Sequence, residues 1–301
     1  MTILSVRHVT TYRYRRPIAF GEHRMMLRPR DSYDQRLLQS ELMIEPKPST
    51  FRWMHDVFGN CVAIAGFADE ASELRFESRI RLDHCPSKTP DFRIEEYAKT
   101  YPFSYRAEEA ADLFSSIERR YADPERQLDQ WVRKFVPQGR SIGIGELLAT
   151  LTQGIKESFT YERRFESGTH PPVTTLNLRR GTCRDFALLM MESVRCLGLA
   201  ARFVTGYIYV PDRDVEIKLD GGSTHAWCQV YLPGAGWVEF DPTNGIVGNR
   251  DLIRVAVARD PSQAVPLTGT FFGDTDDELE MAVSVQVTTS AERIGEGDEN
   301  C

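Results

Sequence analysis

The stretch from Gly181 to Gly245 most limits the fold, because its apolar repeat changes part way along. In GTCRDFALLMMESVRCLG, residues Phe186, Leu189, Met190, Val194 and Leu197 recur at helical spacing, and Gly198 stands where a helix stop is expected. Further on, STHAWCQVYLP favours a strand through Val230 and Tyr231, and GWVEF supplies a second apolar-aromatic run. A flexible LDGGS loop precedes the first strand, PGAG joins the two, and the turn-forming PTNG follows. This stretch therefore predicts one helix followed by two adjacent antiparallel strands.

The rest of the chain falls into segments of contrasting texture. Up to about residue 85, short alternating runs (SVRHVTTYRY, HRMMLRP, LLQSELMIEP, FGNCVAIAGF and ELRFESRIRL) are punctuated by Pro46/Pro48 and Gly59/Asn60. Leu74, Phe76, Ile80 and Leu82 share one parity, as a half-buried strand requires. From about 90 to 145 the sequence is charged and helix-friendly, interrupted by Pro102, Pro124 and Pro137. Leu147, Leu148, Leu151, Ile155 and Phe159 then recur at three- and four-residue steps and predict a helix over 141–159. Alternation returns from Leu252 to Val257 and in Met281, Val283, Val285 and Val287, while the last residues lack apolar content. The expected organisation is a sandwich-like antiparallel β-region over 1–90, a helical connector over 91–140, a core with closing strands over 141–290, and a disordered tail over 291–301.

Composition narrows the function classes. The 301 residues suffice for two domains, or for one core carrying an appended layer. Hydrophobic residues at 41% and charged residues at 27% are in the range of soluble globular chains. A formal charge of -7, with no Lys/Arg run flanked by aromatic residues, argues against a nucleic-acid partner. The amino terminus lacks the continuous apolar core of a signal peptide and no stretch reaches membrane-spanning length, so no membrane partner is expected. Six cysteines, at 61, 85, 183, 196, 228 and 301, are scattered in a pattern that suggests reduced thiols and a cytoplasmic location. They form no CxxC pair and the six histidines show no HExxH spacing, so no metal or other cofactor is expected.

Cys183 falls at the start of the expected helix. Orphan N–H groups and the positive end of the helix dipole there favour a thiolate, and the same groups could hold a developing oxyanion. Forty-two residues later His225 enters the first strand, and sixteen beyond that Asp241 closes the second. The residue types divide the labour of covalent catalysis: thiolate attacks, imidazole shuttles the proton, carboxylate fixes the imidazole tautomer and stabilises its cation. Taken singly, each has a plainer explanation as a small buried thiol, a satisfied histidine or a turn aspartate. Core packing alone does not demand all three at these positions.

The strings GTCRDFALLMMESVRCLGLAARFVTGY and THAWCQVYLPGAGWVEFDPTNG resemble the core of the transglutaminase-like superfamily, specifically its bacterial branch of candidate cysteine proteases. HVTTYRYRRPI, MMLRPRD and FGNCV are similar to that branch's amino-terminal β-region, and LIRVAVARDPSQAVPLTGTFFG to its closing strands. The resemblance implies an α+β, papain-like core, a cysteine-bearing helix packed on an antiparallel sheet, with a triad carried onto Cys183, His225 and Asp241. It also implies that Tyr161, ahead of the cysteine helix, offers an oxyanion donor. Gln229 stands where an acidic residue is expected, and RDPSQ lacks the aromatic common after RD; both bear on substrate contacts more than on chemistry. No EF-hand-like acidic loop is present, so calcium activation is not implied.

Among the remaining residues, Trp227 shares strand parity with His225 and is either a cleft wall or plain core. Asp185, in the first helical turn, reads as a dipole partner or cap, and Cys196 and Cys228 read as structural. The expected function is a cysteine-dependent amide hydrolase, a peptidase or amidase, working through a thioester acyl-enzyme on a peptide or protein amide. Transfer of the same acyl group to an amine, and a non-catalytic interaction scaffold, are the alternatives.

Overall fold

The computed structural model describes residues 2–85, 93–164, 168–209 and 224–290. The expected tail over 291–301 and the LDGGS loop lie outside the described residues.

The amino-terminal region folds as two antiparallel sheets, for the reason its alternation suggests. Thr2–Phe20 forms the middle of the first sheet, paired along its length with Ala71–His84, which in turn pairs with Gln35–Glu45. The second sheet orders Leu267–Thr268, His23–Arg28, Cys61–Gly66 and Thr50–His55. Successive residues of its central strands face opposite ways. Met25, Leu27, Ala63 and Ala65 join Tyr14, Phe20, Leu74 and Phe76 between the two sheets, whereas Met26, Val62 and Ile64 turn towards the helical core.

That core is built on a third sheet, in the order Ile246–Val247, Gly236–Asp241, His225–Leu232, Ala201–Ile208 and Leu252–Ala258, antiparallel throughout. The helix Cys183–Cys196 lies on one face of it, where Ala226, Cys228, Val230 and Leu232 meet Phe186, Leu189, Met190 and Val194. The helix Ile144–Ser158 joins the same core, with Leu147, Leu148, Leu151 and Ile155 fully buried; each such side chain contributes roughly 1.5–3 kcal/mol of burial. The structure thus has the α+β architecture of a papain-like core with an amino-terminal β-region.

Three details differ from the sequence reading. The segment expected as a helical connector does hold helices, Ala107–Ile117 and Gln127–Val132, but Leu128, Trp131 and Val132 are part of the main core and do more than link two units. The closing strand Glu278–Ser290 pairs with Thr2–Phe20 in the first sheet, with Ile3 opposite Ser290, because alternation fixes a strand's faces but not its partner. Finally, Cys61, Cys183, Cys196 and Cys228 are free thiols, but Cys85 is disulfide-bonded, which corrects the all-thiol expectation at that residue: spacing along the chain does not reveal which sulfurs meet in space.

Candidate active site

Cys183 is the first residue of its helix, and the turn ahead of it is held by a reciprocal cap. Thr182 Oγ1 accepts from the Asp185 N–H at 3.4 Å, and Asp185 Oδ2 accepts from the Thr182 N–H and hydroxyl at 2.8 and 2.9 Å. Asp185 Oδ1 accepts from the His170 N–H at 2.7 Å and from Arg164 at 3.1 Å. The fully buried Asp185 is therefore a cap, as expected, and one that also ties the preceding loop to the helix that presents the thiol.

His225 opens its strand, and Asp241 ends the next one. The hairpin through Pro233–Gly236 sets their register, with Val230 opposite Val238 and Cys228 opposite Phe240. This brings His225 Nε2 to 2.7 Å from Asp241 Oδ2. Asp241 is fully buried, and its Oδ1 accepts from the Thr243 N–H at 2.9 Å and the Asn244 N–H at 3.4 Å. Burial opposes the charge on Asp241, but His225, the Asn244 side chain and the Thr243 N–H together hold its carboxyl below the ordinary value. Burial likewise opposes the charge on His225; the Asp241 charge and hydrogen bond outweigh it, Cys183 adds to the effect through a hydrogen bond and its charge, and the imidazole is raised to about 10. Thiol, imidazole and carboxylate are thus brought together, with Nε2 committed to Asp241 and the other ring nitrogen left for the thiol.

Tyr161 is nearby, for a reason local to the backbone: Thr160–Tyr161 pairs in parallel with Arg180–Gly181, placing Tyr161 opposite Gly181. The residue is 48% exposed, but burial of its hydroxyl together with the Cys183 charge raises the phenol, against Arg163 and Arg184. Trp227 is fully buried and does not line an open cleft. Its indole stacks on the His225 ring at 5.9 Å between centroids and joins Val204, Leu252 and Val257 on the sheet face away from the helix, so it backs the imidazole from inside.

One residue of the arrangement was missed. Asn244 Nδ2 donates to Asp241 Oδ2 at 2.7 Å and lies 3.3 Å from His225 Nε2. PTNG reads as a turn, and an asparagine in a turn needs no further role to account for it. Gln229 is buried, accepting from Arg202 at 2.6 Å and donating to Glu239 at 2.5 Å, so the departure noted there is filled by an internal bridge. Cys228 is fully buried beneath Phe240, and burial raises Cys196 to about 12, so neither thiol is poised to react. Among the described residues no three His, Cys, Asp or Glu side chains converge as a metal site, and no helix is long and apolar enough to cross a membrane.

A thiol at a helix start, facing a histidine–aspartate pair on the neighbouring sheet, defines the papain-like class of α+β folds. Comparison with known proteins gives the family. Residues 4–83 match the bacterial transglutaminase-like N-terminal region and residues 129–242 match the transglutaminase-like superfamily core. Uncharacterized proteins of Mycobacterium tuberculosis and Mycobacterium bovis are 30% identical over 94% of this chain and 91% of theirs. A solved structure from Cytophaga hutchinsonii, described as a candidate cysteine protease, superposes with a TM-score of 0.73 at 18% identity, covering 98% of this chain and 92% of that one. The chain belongs to the transglutaminase-like superfamily.

Proposed function

We propose that the protein is a cysteine-dependent amide hydrolase acting through a thioester on Cys183, His225 and Asp241. The observation that carries this reading is the 2.7 Å contact between His225 Nε2 and Asp241 Oδ2, beside a thiol at a capped helix start. The Cys183 sulfur attacks the amide carbonyl, and the developing oxyanion is met by N–H groups of the first helical turn, with the Tyr161 hydroxyl as a side-chain donor. The imidazolium gives its proton to the leaving nitrogen, the amine departs, and a thioester remains. Water then attacks as His225 takes its proton, releasing the acid and restoring the thiol. Asp241 keeps the ring oriented throughout and stabilises its cation each time the proton returns. The substrate on this reading is a peptide or protein amide.

The test is incubation with a glutamine-bearing peptide and a labelled amine. Hydrolysis dominating amine incorporation is expected; incorporation well above hydrolysis would make the protein an acyltransferase on the same thioester. Uniformly slow alkylation of Cys183 and the other free thiols by iodoacetamide would leave only a scaffold role.

A further inference from the structure

We infer that the Cys183 site selects amide substrates carrying a carboxylate close to the scissile bond, a specificity that rests on the thiol chemistry proposed above. The chain as a whole is acidic, at -7, yet the two described segments that meet beside Cys183 are rich in arginine. They meet through the pairing of Thr160–Tyr161 with Arg180–Gly181. Over 160–164 and 179–185 they contain five arginines, at 163, 164, 179, 180 and 184, and only two acids, Glu162 and Asp185.

The acids are already engaged. Asp185 is fully buried in the cap and pairs with Arg164 at 3.1 Å, while Glu162 faces Arg180 at 3.4 Å. Arg179 sits over the Phe159 ring at 4.9 Å, and neither it nor Arg184 has an acidic partner among the described residues. Arg184 follows Cys183 directly and is partly exposed, and the Tyr161 hydroxyl feels Cys183, Arg163 and Arg184 together. A neutral amide gains nothing from this excess of guanidinium, whereas a carboxylate arriving beside the reacting carbonyl finds a planar, always-charged fork that suits it. The like-signed groups also raise the local concentration of anionic substrates, an effect that salt weakens.

Two readouts on the intact protein test this. The first compares alkylation of Cys183 by iodoacetate, an anion, with that by iodoacetamide, its neutral analogue, read by mass spectrometry. The rate ratio should fall roughly threefold or more from wild type to Arg184→Gln, because removing one charge weakens the local field, and in wild type it should decline towards 1 M salt. Since the His225 imidazolium attracts iodoacetate in both proteins, the change in ratio carries the inference, not the ratio itself. The second compares hydrolysis of a peptide with Asp beside the scissile amide, its Asn counterpart, and the Asn peptide with a free instead of amidated C-terminus. A higher kcat/KM for the Asp peptide that shrinks in Arg184→Gln supports a side-chain carboxylate, and the same pattern for the free C-terminus supports a terminal one. If Cys183 reacts rapidly with both reagents but the ratio is indifferent to salt and to Arg184→Gln, the specificity is overturned and the thiol chemistry stands. If Cys183 reacts no faster than Cys61 with either reagent, the thiol reading itself falls. Arg179→Gln, whose side chain lies on a different element, gives the same comparison should Arg184→Gln unfold.

Discussion

Asp241 takes hydrogen bonds from one imidazole, one side-chain amide and two backbone N–H groups, so its orientation is over-determined before any substrate arrives. Replacing it with asparagine keeps the shape but removes the charge that holds His225 protonated. The folded value of about 10 for His225 lies above its ordinary 6.5, so that residue's contribution to stability is complete below 6.5 and lost as pH rises through 10. Asp241 behaves oppositely: its contribution is present above the ordinary 3.8 and lost as pH falls through its depressed value. Asp241→Asn should therefore cost most thermal stability between these limits, near pH 5, and should bring the alkaline decline of kcat/KM, which follows loss of the imidazolium proton, to lower pH. An unmoved alkaline decline would show that another group charges the imidazole. Asn244→Ala leaves the charge and removes one donor; a loss of about 1 kcal/mol, or several-fold in kcat with KM little changed, is expected from steady-state kinetics. Cys183→Ala should abolish turnover and leave the melting temperature nearly unchanged, since the side chain is small and at a helix end. Early melting would mark it as a packing residue.

The elements that present the site were the most legible part of the sequence, because each carries several independent signals. The helix Cys183–Cys196 has a period, a cap and a glycine stop, and all three coincide with its observed ends. By contrast, the strand Thr50–His55 carries little signal in the sequence, because all six of its residues are exposed and none has to be apolar to fill a core. Pro172–Leu178 is a seven-residue helix, too short for periodicity to establish. Asn244 was invisible for another reason: its role depends on where the turn after one strand sits relative to the start of another. Gly206 belongs to the same class. It lies opposite His225 in the sheet, and a Cβ there would come within 1.9 Å of the Ile253 carbonyl oxygen and 2.8 Å of the Trp227 ring. Backbone cannot yield cheaply, and the indole that would move is the one stacked on His225. Gly206→Ala should cost roughly 1–3 kcal/mol in denaturant unfolding through overpacking, with a fall in kcat beyond what the unfolded fraction explains. A stable, fully active variant would mean that Trp227 does not hold the ring in place.

At the scale of the molecule, the amino-terminal layer is joined to the core so closely that neither is complete alone. The strand Leu252–Ala258 forms one edge of the core sheet, and side-chain amides from the amino-terminal region cover that edge as a neighbouring strand would. Gln35 bonds both the N–H and the carbonyl of Arg254, at 2.9 and 2.8 Å, and Asn60 does the same at Val257, at 2.9 and 2.7 Å. None of this was legible, because the partners are some 200 residues apart and nothing local requires them; Asn60 read only as punctuation. The same seam holds Arg254, whose guanidinium reaches Asp34 at 3.1 Å and Glu239 at 2.5 Å. Burial raises the Glu239 carboxyl and Arg254 opposes that rise, while Asp34, also pushed up by burial, is held below its ordinary value chiefly by the Arg254 charge. Arg254→Met keeps much of the side-chain volume and leaves two buried carboxylates without their cation, a change that typically costs about 3–5 kcal/mol. Both carboxyls would then have folded values above their unfolded ones, so the variant's stability should be highest at low pH and decline as pH rises. The measurement is urea unfolding of wild type and variant at pH 5, 6, 7 and 8, with the gap between them widening as pH rises. Adding Glu239→Gln, which removes one of the stranded charges, should recover part of the gap at pH 8 and little at pH 5. A gap of constant size across this range would show that Arg254 holds the seam by packing and geometry, with its charge contributing nothing.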